Sequence, residues 1–234
     1  MATQYGYRGP DIVSNGLVLY LDAGNPNSYQ TYFGNTWRDV SGNGNNGTLT
    51  NGPTYNTGNG GSIVFDGVDD YVGFSSTTGL NTQYSTVEIW ASFTNPSSAN
   101  TERLFARTNT NAGTFDMQKS GVNKDFFGII RDSTNTQTLI SDNDITSTSW
   151  IQYAITYDGS TFILYKNATQ ENSVSISSTI NTGGTFEIRI GARTSAFNDL
   201  FFNGKISIAR IYNRGISATE LLQNYNAQKA RFGL

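Results

Sequence analysis

Short apolar segments alternate with polar turns along most of the chain, and their lengths are those of β-strands. The clearest segment, STVEIWASF, places Val87 and Ile89 on one face of a strand and Glu88 and Trp90 on the other. The pattern predicts strands at 17–21, 63–65, 71–74, 85–93, 104–107, 114–118, 126–131, 151–157, 161–166, 186–190 and 205–212. So many short strands indicate an all-β chain.

Near its C-terminal end the pattern changes to that of a helix. Ser217-Ala-Thr-Glu220 has the S-x-x-E spacing of a capping box, in which the serine and glutamate side chains bond the first free backbone N–H groups. Leu221, Leu222 and Tyr225 then form one apolar face. We expect a helix of about three turns that ends near Arg231.

The composition agrees with strands and tight turns. Asparagine, threonine and 25 glycines supply about a third of the 234 residues, and these types favour turns and strands with polar outer faces. The net charge is −3 and there is neither a basic run nor an apolar stretch of membrane-spanning length, so we expect neither nucleic acid nor membrane as a partner. Cysteine and histidine are both absent, which excludes disulfides, thiol chemistry and histidine-ligated metals.

A long polar region, residues 24–60, has the loop DVSGNGNNG (39–47) at its centre. Side-chain oxygens of Asp39, Asn43 and Asn45, with glycines between them, suit a hard cation, and the loop therefore predicts a calcium site. Since the loop holds one carboxylate, the ion would need another from elsewhere, and Asp22 and the acidic turn at 66–70 are the candidates. The alternative is a cluster of turns stabilised by asparagine and aspartate side chains, which needs no metal.

Three blocks carry a resemblance to a known family. They are TWRDVSGNGNNGTLTNGPTYNTGNGGSIVFDGVDDYV (36–72), SWIQYAITYDGSTFILYKN (149–167) and FFNGKISIARIYNRGISATEL (201–221). In this order they resemble the concanavalin A-like, laminin-G-like jelly rolls. The resemblance implies a two-sheet antiparallel jelly-roll sandwich closed by a short C-terminal helix. We expect residues 1–10 to form an N-terminal arm and residues 11–234 a single laminin-G-like domain.

In such a sandwich the core lies between the two sheets. The apolar positions of the predicted strands assign the inner faces to Leu19, Ile63, Phe65, Val87, Ile89, Phe93, Ile151, Tyr153, Ile155, Phe162, Leu164, Ile188, Ile190, Ile206 and Ile208. Members of the family commonly carry an acid after the Gly-x-Ile of a late strand, where this chain has Ser207.

The acidic residues argue against catalysis. A retaining glucanase of this architecture needs two carboxylates about 5 Å apart. The strand at 85–93 offers Glu88 alone, with Trp90 where a second acid would stand. We therefore predict no catalytic residues and no enzyme activity.

Aromatic residues give a different signal, because a flat ring can stack on the apolar face of a sugar. Trp37, Glu88 and Trp90 are the candidate ligand-binding residues. The alternative for the two tryptophans is burial as packing residues. Five aromatics that could give this stacking signal lie in the polar region 24–60, namely Tyr29, Tyr32, Phe33, Trp37 and Tyr55.

The segment GLVLYLDAGNPNSY (16–29), followed by the block TW-D-x-S-G-N-G-N-x-G, is similar to domains of tailed-phage virion proteins. The resemblance implies a capsid decoration or appendage subunit, with other capsid or tail proteins and host-surface glycans as partners. The alternative is a carbohydrate-binding module or adhesin domain that recognises cell-surface polysaccharide.

The N-terminal residues bear on location and attachment. They lack the apolar core of a signal peptide, so we expect synthesis in the host cytoplasm and display at the virion surface. Tyr5, Tyr7 and Arg8 are of types enriched at interface hot spots, and the arm is therefore predicted to attach the subunit to its particle. The alternative is a tail without a partner.

Overall fold

The computed structural model describes residues 11–77, 79–109, 112–132, 137–142, 145–176, 179–180, 186–194 and 199–234. Within them the chain forms two antiparallel sheets and one α-helix, as the resemblance implied. The strands are β1 (Leu17–Asp22), β2 (Thr36–Trp37), β3 (Gly47–Thr50), β4 (Thr54–Asn56), β5 (Ser62–Asp66), β6 (Tyr71–Phe74), β7 (Ser85–Phe93), β8 (Glu102–Asn109), β9 (Ala112–Lys119), β10 (Phe126–Arg131), β11 (Gln137–Asp142), β12 (Ile151–Tyr157), β13 (Thr161–Lys166), β14 (Thr169–Ser175), β15 (Phe186–Ile190) and β16 (Asn203–Tyr212).

The first sheet has the order β14-β13-β12-β7-β16-β5-β4. One edge of β16 pairs with β7, and the other pairs first with β5 and then with β1. This end-to-end arrangement brings the end of β1 close to the start of β5. The second sheet has the order β11-β10-β9-β8-β15-β6-β3-β2.

The core lies between the sheets and contains fourteen of the fifteen residues assigned to the inner faces. Ile208 is the exception. A register shift between Ile206 and Ile208 places Ile208 opposite Trp90, whereas Ile206 lies opposite Ala91. Because one extra residue moves the following side chains to the other face, Ile208 packs beside Trp90 outside the sandwich, while Ala209 enters the core. The assignment of Ile208 to the inner face was therefore wrong.

Five described strands were not predicted, namely β2, β3, β4, β11 and β14. They are short or polar, and β14, with the sequence TQENSVS, is exposed at almost every position. A strand that buries neither face has no hydrophobic alternation to reveal it. The pairing of β14 with β13 defines it instead.

The C-terminal helix α1 (Ala218–Gln228) begins with the predicted capping box between Ser217 and Glu220. It packs on the outer face of the first sheet, and a 3-10 turn (Lys229–Phe232) follows it. Leu221 is buried as expected, but Leu222 is 47% exposed, so its assignment to the packed face was wrong. Asn224 is the second fully buried residue of the helix. No helix in the described part of the chain is long and apolar enough to cross a membrane.

Candidate functional site

Glu88 lies at the centre of a buried polar network between the first sheet and helix α1. Its Oε1 accepts hydrogen bonds from Arg210 at 2.8 Å, Gln152 at 2.8 Å and the Trp90 indole at 3.3 Å. Its Oε2 accepts a hydrogen bond from Asn224 at 2.8 Å. Burial opposes the charge of Arg210, but the Glu88 carboxylate, together with Tyr20 and Tyr212, outweighs it and raises the pKa of the guanidinium. Glu88 is thus committed to internal partners.

Trp90 is equally enclosed. Its indole stacks on Phe232 with ring centroids 4.4 Å apart and on Tyr225 at 5.6 Å, so the C-terminal segment covers it. Trp37 is also fully buried, but it lies in the main core between the sheets. The structure therefore separates Trp37 from the pair Glu88 and Trp90, and none of the three offers surface to a ligand. Both tryptophans match the packing alternative.

The loop at 39–47 is held by its own hydrogen bonds. Asp39 Oδ1 accepts the backbone N–H groups of Tyr20 and Ser41, and Oδ2 accepts the Ser41 hydroxyl and the backbone N–H of Asn45, all at 2.9 Å. The Asn45 side-chain amide donates to the Val18 carbonyl at 2.7 Å.

The Asn43 amide donates to the Leu17 carbonyl at 3.1 Å, so the loop is fastened along the edge of β1. Calcium needs these groups to present oxygens, but the Asp39 oxygens are saturated by donors and the two asparagines point N–H groups at the backbone. The donor set therefore does not fit a calcium ion and agrees with the metal-free turn cluster. Calcium binding itself stays a prediction.

The acidic turn between β5 and β6 brings carboxylate oxygens of Asp66, Asp69 and Asp70 within 4.8 Å of one another. Two of these groups bond the turn itself, since Asp66 Oδ1 accepts the Val68 N–H at 2.8 Å and Asp70 Oδ2 accepts the Asp66 N–H at 3.0 Å. Burial, together with the charges of its two acidic neighbours, raises the pKa of Asp70. These contacts are those of a structural hairpin.

An open cleft of about 270 Å³, which we call the tyrosine cleft, combines aromatic and polar side chains and carries no charged residue among the described residues of its lining. The rings of Tyr29 and Tyr55 form its aromatic part, with centroids 5.2 Å apart and planes inclined by 33°. Tyr29 is almost buried and Tyr55 is half-buried. Burial, followed by the nearby Tyr55 hydroxyl, raises the pKa of Tyr29, so this phenol keeps its proton at neutral pH. The rest of the cleft is lined by Ala23, Gly24, Pro26, Gln30, Thr31 and Thr57.

Local sequence explains how Tyr29 reaches the cleft. After β1, the Asn25 carbonyl accepts the N–H groups of Ser28 at 2.8 Å and Tyr29 at 2.9 Å, while its side chain accepts that of Asn27. The buried Ser28 hydroxyl donates to the Arg38 carbonyl at 2.6 Å and accepts the Asp22 N–H at 3.0 Å. These bonds turn the segment GNPNSY back over the sheet. Tyr55, from β4, meets it across the sheet edge.

The C-terminal turn supports the wall behind the tyrosine cleft. Arg231 donates to the carbonyls of Asn59 at 2.7 Å and Gly61 at 2.8 Å, and to Asp22 Oδ1 at 2.6 Å. Gly24, which lines the cleft, has no room for a side chain, because a Cβ there would collide with the Arg231 guanidinium and the Gly60 carbonyl. Gly61 adopts φ +124°, and a Cβ there would lie 2.6 Å from the Tyr55 hydroxyl.

Sequence reasoning named both tyrosines among the aromatics of the polar region but did not bring them together. Their positions, 29 and 55, belong to a turn and to a short strand without alternation, so no spacing rule connects them. It missed Gln30, Thr31 and Thr57 altogether. The arm residues Tyr5, Tyr7 and Arg8 lie outside the described residues.

No curated protein matches the sequence. Among solved structures, the fold is similar to the binding domain of Paraclostridial Mosquitocidal Protein 1, with a TM-score of 0.69 and 16% identity over 92% of this chain and 52% of that one. It is also similar to the receptor binding domain of the botulinum neurotoxin C/D mosaic serotype, with a TM-score of 0.71 and 14% identity over 92% and 52% of the two chains.

A third similar structure is the ligand binding domain of botulinum neurotoxin serotype D in complex with N-acetylneuraminic acid, with a TM-score of 0.70 and 15% identity over 92% and 52%. The chain spans about half the length of each of these proteins, and identities this low show the shared fold alone. A family model described as the concanavalin A-like lectin/glucanases superfamily matches residues 66–222. Since that match covers more than half of the chain, the protein belongs to the concanavalin A-like lectin/glucanase superfamily.

Proposed function

We propose that this protein is a non-catalytic carbohydrate-binding domain that recognises polysaccharide through the tyrosine cleft. The observation that carries the proposal is the tilted pair of Tyr29 and Tyr55 at the floor of an open, polar-rimmed cleft. Binding clefts typically combine apolar or aromatic surface with a few placed polar groups. A sugar ring presents the complementary surface, with apolar C–H faces and a rim of hydroxyls.

Two further findings support this choice. The superfamily to which the chain belongs includes lectins. One protein with a similar fold has been captured with N-acetylneuraminic acid, although it shares 15% identity with this chain. Sugar recognition is thus found on this fold, which supports the proposal that the tyrosine cleft of this chain binds a sugar.

The contacts of Glu88 support a non-catalytic role. Glycoside hydrolysis needs a pair of carboxyl groups that flank the scissile bond. The partners of Glu88 are a guanidinium, two amides and an indole, and helix α1 covers it from the outside. A carboxylate in this position has no path to a substrate.

The test is binding of the purified protein to a glycan array, followed by titration of the hits. Tyr55→Ala should weaken binding by about tenfold or more, because Tyr side chains dominate recognition where they are packed against a ligand. Tyr84→Ala is the matched control, since this tyrosine is 47% exposed and does not line the cleft. Unchanged glycan binding by a folded Tyr55→Ala protein would reject the cleft as the binding site.

The narrower proposal is that this binding occurs on a phage particle, where the chain serves as a capsid decoration or appendage subunit and contacts host glycans. Its support is the resemblance of residues 16–47 to tailed-phage virion domains. Deletion of residues 2–9 should reduce loading onto particles while the melting temperature stays the same, because an arm is ordered only where it gains contacts. If the full chain does not co-purify with any particle, the virion proposal is rejected and the glycan-binding proposal is not affected.

A further inference from the structure

We infer that the tyrosine cleft selects neutral saccharides over acidic ones. The inference rests on the proposed function and names the class of ligand for the same site. It follows from which groups line the cleft and from where the neighbouring charges are held.

The lining of the cleft carries no charged side chain among the described residues. Its polar groups are the hydroxyls of Thr31 and Thr57, the amide of Gln30 and the two phenols. Each of these groups both donates and accepts hydrogen bonds, as sugar hydroxyls do. A sialic or uronic acid presents a carboxylate, whose recognition in proteins typically uses arginine, with its bidentate donors.

Arg231 is the cation directly behind the cleft, and four of its five N–H donors are already hydrogen-bonded within the protein. Besides the two carbonyls and Asp22, it donates to the Ser207 hydroxyl at 2.6 Å. The Asp22 carboxylate at 2.6 Å also balances its charge. To reach a ligand, the guanidinium would have to abandon these four acceptors and leave Asp22 without its cation. It therefore shapes the wall of the cleft without offering a charge to the ligand.

The second cation in this region is Arg38. Its guanidinium lies 3.6 Å from the centroid of the Phe33 ring, and Arg38 is not among the residues that line the cleft. Arg38 is exposed, however, and could bind an acidic ligand outside the cleft. Substitution of Arg38 therefore shows whether an acidic ligand binds there.

The rim suggests a ligand longer than one sugar. Tyr32 directly follows the lining residue Thr31, so their Cα atoms are about 3.8 Å apart. Tyr32 is 78% exposed. Its ring and the Phe33 ring pack edge to face, with their centroids 4.7 Å apart. An exposed aromatic ring next to a lining residue in the chain can stack on a second sugar, and Tyr32 is therefore included in the test.

The test measures the affinity of the protein for neutral oligosaccharides and for sialylated and uronic-acid oligosaccharides of equal length. Each affinity is measured at about 0.05 M and about 0.5 M NaCl, because the Debye length falls from above 10 Å to below 8 Å between these concentrations. We expect neutral ligands to bind with an affinity that changes less than about twofold with salt, because no charge pair is screened. Tyr55→Ala should weaken this binding by about tenfold or more. Tyr32→Ala should weaken it only for ligands of two or more sugars, and Arg38→Gln should leave it unchanged.

Two outcomes separate the inference from the proposed function. If the protein binds only acidic glycans, with salt-sensitive affinity that Arg38→Gln reduces, the inference is overturned while glycan binding stands. If neither class binds at any salt concentration, the proposed function itself fails. Unfolding of Tyr55→Ala would be detected by its melting temperature, and in that case Gln30→Ala and Thr57→Val provide the same comparison from the rim.

Discussion

Arg231 Nη1 lies 2.6 Å from Asp22 Oδ1, although 209 residues separate the two along the chain. The same guanidinium bonds the carbonyls of Asn59 and Gly61. One side chain therefore fastens the C-terminal turn, the end of β1 and the segment before β5 into a single unit behind the tyrosine cleft.

We predict that Arg231→Ala lowers both stability and glycan affinity. Asp22 would keep a largely buried carboxylate without its cation, and two carbonyls would lose their donors, so unfolding should become easier by about 2–4 kcal/mol. Urea denaturation measures the loss. Asn226→Ala, an exposed residue of the preceding helix, is the control and should stay within about 0.5 kcal/mol of the parent. An equal response of the two variants would contradict the role given to Arg231.

Leu221 and Leu222 provide a matched pair for the packing of helix α1. Leu221 is fully buried and Leu222 is 47% exposed. Leu221→Ala should cost about 2–5 kcal/mol, because it leaves a cavity in a packed contact. Leu222→Ala should cost less than about 0.5 kcal/mol, the range of ordinary surface substitutions. Chemical denaturation of the two variants side by side checks this, and a similar cost at both positions would mean that the helix packs on both faces.

The sequence was sufficient to predict an all-β chain because its central strands alternate, as β7 does through Val87 and Ile89, and the two-sheet architecture was implied by the family resemblance. It was insufficient where one residue broke the alternation. The bulge around Ser207 is stabilised by contacts with Gly61 and Arg231, which lie 146 and 24 residues away. The cleft could not be predicted either, because it depends on a contact between Tyr29 and Tyr55, which are 26 residues apart in the sequence. Burial of Glu88 beneath Asn224 likewise depends on a contact across 136 residues.

Glu88 should be a stability residue. Glu88→Gln leaves the buried Arg210 without its counter-charge, so the variant should lose about 3–5 kcal/mol of unfolding free energy. Adding Arg210→Met should recover a large part of the loss, because the uncompensated charge is gone. Asp199→Asn is the control, since it breaks the ion pair with Arg193, in which the Asp199 side chain is 45% exposed. It should cost at most about 1 kcal/mol. A double variant as unstable as Glu88→Gln alone would contradict this account.

The helix cap should make stability depend on acidic pH. Hydrogen bonds from Arg214 lower the pKa of Glu220 to about 2, against 4.5 for the free side chain. Because the folded-state pKa is depressed, the unfolded chain binds more protons between these values, and the stabilisation present above about pH 4.5 is lost as the pH falls towards 2. Glu220→Gln should therefore lower the free energy of unfolding at pH 6 but have little effect at pH 2. A constant difference between parent and variant across this range would exclude the linkage.

The loop at 39–47 allows a decision between a calcium site and a self-sufficient turn cluster. Because Asp39 already accepts four hydrogen bonds, we expect EDTA to leave the melting temperature unchanged. Asp39→Asn should still destabilise the protein, by about 1–3 kcal/mol, since an amide cannot accept from donors on both of its heavy atoms. A bound calcium ion would give the opposite pattern: EDTA would lower the melting temperature of the parent and added calcium would restore it by mass action. If the loop binds calcium, EDTA should not change the melting temperature of Asp39→Asn, because that variant has lost the carboxylate that the loop contributes to the ion.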